Sequence, residues 1–286
     1  MTRSADISPL SVLLSRVDAV TDGSPPRDSF SCGFPSIDKS LGGGFRRGDL
    51  IVLGGDVASG KSALALAFAI RSSLKGSRVA FLTAEMTVER VLERIIAMEA
   101  RAEIDDLRQG ALDETTRASA GSVAVRLREH LPIIERMPAG ASIDFVRELI
   151  APATLDLVVV DSMNALVSGE RSSDEEIGRV IRGLKDLAIE RDVAILVTAP
   201  LPNLCARADR RPILDDFGGN GIVKQTADVV LALFREDMYV EAQDIKGATE
   251  LLIRKNRNGP NGYVDLYFYA KWLRFEDMLD PEPVGS

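Results

Sequence analysis

The residues Gly55-Asp56-Val57-Ala58-Ser59-Gly60-Lys61-Ser62 fit the spacing G-x-x-x-x-G-K-[ST] without a mismatch. Glycines in such a loop let the backbone close around phosphate oxygens. A helix that opens at Ser62 and Ala63 adds unpaired N–H groups and the positive end of its dipole. Lys61 then reaches the β- and γ-phosphates of a nucleoside triphosphate, and Ser62 becomes a ligand for Mg²⁺. Residues 55 to 63 are therefore the candidate nucleotide-binding loop. The alternative, an ordinary glycine turn, is disfavoured by the flanks: Leu50 to Gly54 suits a buried strand, and a nearly continuous apolar helix runs from Ser62 to Leu74, with Gly76 as its stop.

Hydrolysis of a γ-phosphate also needs a second metal ligand, a group that orients water, and positive charge for the transition state. Asp161 closes the run Val158-Val159-Val160-Asp161 and fits the Walker-B role beside Ser62. Glu85 ends the strand after the loop's helix. In a parallel sheet it emerges at the same carboxyl edge as the phosphates, which makes it the candidate base. Positive charge gathers in Arg254-Lys255-Asn256-Arg257. Strand alternation puts Lys255 and Arg257 on one face, the spacing needed to aim two cations at one target; a solvated strand edge is the plainer reading.

These residues must be held by strands that alternate with helices. Apolar runs mark strands at 78–83, 132–135, 155–161 and 193–198, and helical stripes lie between them. Residues 102–131 read as a charged helical excursion, Ser142 as the cap of a helix through Leu149, and Ser173–Glu176 as a capping box. The pattern predicts an α/β fold with a mostly parallel sheet covered on both faces. Asp228–Phe234 is a further strand, and 249–257 and 262–270 form an antiparallel hairpin around Gly259-Pro260-Asn261-Gly262. Ahead of all this, Leu10, Leu13, Leu14 and Val17 form a short apolar stripe, followed by a linker at 21–28. That helix packs either on its own domain or on a neighbouring subunit.

The chain has 286 residues, 45% hydrophobic and 27% charged, which is ordinary for a soluble globular protein. No apolar run approaches a membrane span, and the first residues carry no signal-peptide core. Cys32 and Cys205 stand far apart, which fits reduced thiols in the cytoplasm. The only histidine, His130, makes zinc or Ser–His chemistry improbable and reads as a surface residue. A net charge of −8 argues against a broad basic surface, although a local basic site inside a ring remains compatible with it.

Residues 32–69 resemble the RecA-like ATPases in general. Ala84-Glu85-Met86, the segment Arg211-Pro212 to Asp216 followed by Gln225-Thr226-Ala227-Asp228-Val229-Val230, and Lys255-Asn256-Arg257-Asn258-Gly259-Pro260-Asn261-Gly262 with Arg274-Phe275 are similar to DnaB-type replicative helicases. The likeness covers about residues 10 to 278 and implies a RecA-like P-loop fold. It also implies a hexameric ring with ATP and Mg²⁺ bound between subunits, acting on single-stranded DNA. It assigns Lys61 and Ser62 to the phosphates and metal, Glu85 to the base and Asp161 to Walker B. Lys255 and Arg257 become cations that reach a neighbour's phosphate, and the leading helix becomes one that docks on a neighbour. Residues 1–29 are then linker helix and linker, 30–278 the motor, and 279–286 a disordered tail.

Three departures qualify the resemblance. The motor begins almost at residue 1, so the family's N-terminal domain has no counterpart; the sensor glutamine position holds Ala199; and the DNA-loop segment reads Asp216-Phe217-Gly218-Gly219-Asn220-Gly221, with Gly218 where an arginine is expected. Backbone N–H groups of Gly218, Gly219 and Asn220 can still bind phosphate, and Arg207, Arg210 and Arg211 supply charge nearby. A RecA- or KaiC-like regulatory or scaffold ATPase without DNA translocation is the alternative. An inactive nucleotide-binding subunit is disfavoured because Lys61, Ser62, Glu85 and Asp161 are all present.

Overall fold

The most apolar runs of the chain become the centre of its sheet. The computed structural model describes Ser11, Leu14, Val17 and residues 28–167, 174–201, 204, 209–240 and 245–278. Two short strands, β1 (Ser29–Phe30) and β2 (Phe45–Arg46), pair across helix α1 (Pro35–Ser40). Then come β3 (Leu50–Gly55), α2 (Lys61–Leu74), β4 (Val79–Thr83), α3 (Val88–Ala100), α4 (Ile104–Gln109), α5 (Glu114–Leu127), β5 (Ile133–Arg136), α6 (Ile143–Ile150) and β6 (Leu157–Asp161). The chain continues through α7 (Asp174–Arg191), β7 (Ala194–Pro200), α8 (Ile222–Thr226), β8 (Val229–Phe234), β9 (Ala248–Asn256), β10 (Gly262–Tyr269) and β11 (Arg274–Asp277).

The main sheet runs in the order β11-β10-β9-β8-β3-β7-β6-β4-β5. The strands from β8 to β5 are parallel to their neighbours, and β9, β10 and β11 extend the sheet antiparallel. This is the RecA-like arrangement, with the expected hairpin at its end. Every residue of β3, β4 and β6 is buried, as a strand covered on both faces requires. One face packs Leu64, Phe68, Val91 and Ile95 from α2 and α3; the other packs Val146, Ile150, Ile181 and Leu184 from α6 and α7.

Local signals set the helix starts. Thr87, Asp113 and Ser142 each accept a backbone N–H three residues on, capping α3, α5 and α6. The charged excursion at 102–131 resolves into α4 and α5. The capping serine expected at Ser173 lies outside the described residues, as do the tail 279–286 and most of the leading helix. Of that helix, Ser11, Leu14 and Val17 are helical and exposed. His130 is exposed, as expected. Among the described residues no helix is long and apolar enough to cross a membrane.

The strand β11 was not legible as a strand in sequence, yet it ties the hairpin to the helices. Arg71 of α2 donates to the Phe275 carbonyl at 2.7 Å and pairs with Glu276 at 3.0 Å. Buried Arg274 also pairs with Glu276 and donates to the Met98 carbonyl at 3.0 Å. The Arg-Phe pair is thus a clamp between β11, α2 and α3.

Acidic groups meet at the other end of the sheet, where β3 and β8 begin. Burial and the neighbouring Asp228 carboxylate push Asp49 up to about 6, against the pull of Lys185, Arg46 and Arg257. A carboxyl whose folded pKa exceeds its unfolded value near 3.9 holds its proton more tightly when folded. Its contribution is therefore full below about pH 4 and is lost as pH rises through about 6. Asp49→Asn should raise stability at pH 7–8 by on the order of 1 kcal/mol, discounted for its partial exposure, and leave pH 4 nearly unchanged. Urea melts at both pH values check this; an equal effect at both would remove Asp49 ionisation as the cause.

Candidate active site

The chain leaves β3 at Gly55 and enters α2 at Lys61. Gly60, which caps the helix, has φ of 102°, and a Cβ there would lie 2.9 Å from the Phe275 ring. Backbone and space both require glycine at that point. Asp56 organises the rest of the loop: Oδ1 accepts from Val57 N–H at 2.7 Å and Oδ2 from the Tyr239 hydroxyl at 2.7 Å. Lys61 Nζ donates to the Asp56 carbonyl at 2.7 Å. Burial lowers the Lys61 pKa, while Asp161, Asp56 and Glu85 oppose that shift.

Asp161 ends β6 between the strands that carry its partners. Its Oδ1 accepts from Ser62 Oγ at 3.0 Å and from Thr198 Oγ1, on β7, at 2.7 Å. The residue is 2% exposed, and its Oδ2 is buried without a hydrogen-bond partner among the described residues. Burial raises its pKa, the two hydroxyls lower it, Glu85 raises it and Arg94 of α3 lowers it. A buried carboxylate oxygen left open beside a serine hydroxyl is the donor set Mg²⁺ uses when most of its remaining ligands are phosphate and water. Consistently, among the described residues no group of three or more His, Cys, Asp or Glu side chains is placed to cage a metal. Exposed Glu85 lies just past β4, and its Oε1 accepts from Ser162 Oγ at 3.2 Å. Lys61, Ser62, Glu85 and Asp161 therefore converge at one edge of the sheet.

Lys255 and Arg257 stand at the opposite edge. β9 runs antiparallel to β8, so Asn256 pairs with Val229 at the start of β8, whereas Gly55 pairs with Leu233 near its end. Five steps along the six residues of β3, at about 3.3 Å each, separate these edges by roughly 17 Å. Lys255 Nζ donates to the carbonyls of Lys224, Gln225 and Ala227, and Arg257 contacts Gln225 and Asp228. Neither cation approaches its own loop.

The expected nucleic-acid residues do not form one patch. Arg207 lies outside the described residues. Arg211 is engaged by Glu250 through two bonds of 2.6 and 2.8 Å, and Arg210 stacks over Tyr239 at 4.9 Å. Both arginines line a cleft of about 450 Å³ with Phe234 and Tyr239. Gly218, Gly219 and Asn220 sit elsewhere, against α7: the Gly219 N–H donates to Asp174 Oδ1 at 2.8 Å, so that amide is already committed. Gly218 has φ 66° and ψ −156°, and Gly219 has φ 69°. Side chains resist such backbone angles, so an arginine at 218 would be strained in this loop.

Sequence reasoning missed Thr198, Ser162 and Tyr239. The first two carry a weak signal, as hydroxyl residues at or just beyond the carboxyl ends of neighbouring strands. Tyr239 meets Asp56 across 183 positions and carries none. Ala199, where the resemblance leads one to expect a glutamine, is buried and apolar; the polar contact to Asp161 comes one residue earlier, from Thr198.

A family model described as the DnaB-like helicase C terminal domain matches residues 29–277. The replicative DNA helicase DnaB of Leifsonia xyli subsp. xyli is 30% identical over 255 residues, which cover 86% of this chain and 55% of that protein. The chain thus spans about half the length of the curated relatives it matches. A solved ATPase domain superposes with a TM-score of 0.85 at 23% identity, covering 96% of this chain and 99% of the other. A DnaB-like replicative helicase, solved with its interactions with primase, gives 0.81 at 22%, covering 96% and 68%. At these identities the structural likeness is one of fold.

The Asp161–Ser62 geometry makes a separable prediction. Asp161→Asn and Ser62→Ala should weaken ATP binding by about 10–100-fold in the presence of Mg²⁺, and far less in EDTA. Calorimetric titrations in both conditions check this. Equal losses would mean that the two residues act on the loop's fold rather than on a metal.

Proposed function

The chain belongs to the DnaB-like helicase C-terminal domain family, and from that premise we propose that it is an ATP-hydrolysing motor acting on single-stranded DNA within a homo-hexameric ring. The observation that carries the reading is the separation of charge. The phosphate loop, Asp161 and Glu85 share one sheet edge, while Lys255 and Arg257 leave from the other. A single copy therefore holds half a site, and a ring of copies completes it.

In this mechanism the loop amides and the start of α2 bind the phosphates of ATP. Lys61 exchanges the Asp56 carbonyl for the β- and γ-phosphates. Ser62 and Asp161 would hold Mg²⁺, which supplies charge neutralisation at the phosphates. Glu85, braced by Ser162, orients the attacking water. Lys255 and Arg257 of the adjacent copy stabilise charge that develops as the γ-phosphoryl leaves. Residues 30–278 are the motor, and residues 1–29 form the helix and linker that dock on a neighbour; Leu14 and Val17, each 54% exposed, belong to that helix. The cytoplasm is where such a motor meets DNA and ATP. The family match favours this reading over the regulatory ATPase.

Arg257→Ala should bind ATP yet lose about 10³–10⁵ in turnover. Mixing it with Lys61→Ala copies should restore activity, because some interfaces then combine an intact loop with an intact arginine. No recovery despite demonstrated mixing would remove the shared site.

Single-stranded DNA should stimulate the ATPase. Its affinity should fall with salt by about 0.7 log units per log unit for each phosphate neutralised. Because Gly218 carries no charge and the Gly219 amide is committed, the slope should be shallow. A ring that hydrolyses ATP but ignores single-stranded DNA at low salt would leave the regulatory ATPase as the account.

A further inference from the structure

Arg257 does not leave the β9–β10 turn freely. Its backbone N–H donates to the Asp228 carbonyl at 2.8 Å, its Nε lies 3.3 Å from Asp228 Oδ1, and its Nη2 donates to the Gln225 carbonyl at 3.1 Å. The side chain is still 49% exposed, so the guanidinium is gripped along its inner edge and presents the rest outward.

The group that grips it is itself fixed. Asp228 has a side chain only 2% exposed, and its Oδ2 accepts from the Leu50 N–H at 2.8 Å and from Lys185 Nζ at 2.6 Å. Lys185 is held in turn by the Gly48 carbonyl at 2.8 Å. A surface ion pair between two free side chains orients little and contributes little. Here one partner cannot rotate, because an amide and an ammonium occupy its far oxygen, so the near oxygen points in one direction. Lys185 already neutralises the buried carboxylate, and the fold therefore does not need Arg257 to compensate that charge.

We propose that Asp228, locked by Lys185 and the Leu50 amide, is the positioning residue that aims Arg257 at the nucleotide bound on the adjacent copy. The inference rests on the reading of Arg257 as a residue acting across an interface. It adds that the aim is set inside the arginine's own copy, by the residue just before β8. Lys255 shares the same scaffold, since its Nζ donates to the Gln225 carbonyl that also receives Arg257. The two cations are thus held as one unit on the end of α8.

Asp228→Asn keeps the size and an acceptor for the Leu50 amide but removes the charge that holds Nε. Misplacement by about 1 Å costs up to 10²-fold in rate, so kcat should fall by about 10–100-fold with KM for ATP nearly unchanged. Mixing rings locates the defect. Asp228→Asn copies mixed with Lys61→Ala copies should recover activity, because the loop of the first meets the intact arginine of the second. If Asp228 instead serves its own loop through Leu50 and β3, mixing recovers nothing and the proposal is overturned, as it is by an unchanged kcat. The Arg257→Ala mixture with Lys61→Ala is the control. Recovery there without recovery for Asp228→Asn rejects the positioning role alone, whereas failure of the control rejects the shared site. Should Asp228→Asn assemble poorly, the double variant Asp228→Asn/Lys185→Gln removes the buried pair together and must give the same recovery.

Discussion

A carboxylate can remain charged in an interior only where hydrogen bonds, and finally a cation, replace the water it has lost. Asp161 stands under that constraint: burial raises its pKa, and two hydroxyl hydrogen bonds oppose the rise. Two hydroxyls from different strands satisfy one of its oxygens, and the other is left open at the edge where Lys61 and Glu85 also arrive. Much of the sheet's order can be read as serving that arrangement. β7 must lie beside β6 to deliver Thr198, and β3 must lie beside β7 so that the loop brings Ser62 within reach of Asp161.

Strand direction then imposes a division of labour. Parallel strands place their carboxyl ends on one edge, so anything carried at a strand's end collects there. The antiparallel return of β9 has the opposite effect and exports Lys255 and Arg257 to the far edge. One chain therefore displays the phosphate loop, Asp161 and Glu85 on one rim and Lys255 with Arg257 on the other, and in the proposed ring a neighbour brings the two sets together. The clamp made by Arg274 and Glu276 with α2 and α3 ties β11, and with it the hairpin, to the helix that follows the phosphate loop.

Several polar groups near the rims are committed to partners, which gives those stretches a defined shape rather than a loose array of charge. Arg211 is spent on Glu250, the Gly219 amide on Asp174, and Tyr239 bridges to Asp56. In the proposed motor, which would couple nucleotide state to a polymer, such commitments are the contacts available to be exchanged. The segment 209–226 makes contacts of both sorts: Arg210 stacks on the tyrosine that holds the phosphate loop, and α8 offers the Lys224 and Gln225 carbonyls that hold the two cations.

What the sequence determined by itself was whatever depends on neighbours along the chain. The phosphate loop is legible because consecutive backbone amides and the following helix do the binding, so its signature is contiguous from Gly55 to Ser62. The alternation of strands and helices is legible because burial on two faces imposes its period on each segment, and strand ends such as Glu85 and Asp161 follow from that. Tertiary structure alone decided what meets across the sheet. Crossovers set strand order, and no local period encodes them, so Thr198 against Asp161, Ser162 against Glu85, and Tyr239 against Asp56 could not be read in advance. The same holds for the left-handed backbone at Gly218 and the edge from which Arg257 departs: a residue's type names the chemistry it can do, but its partners are chosen by the packing of segments far away in the chain.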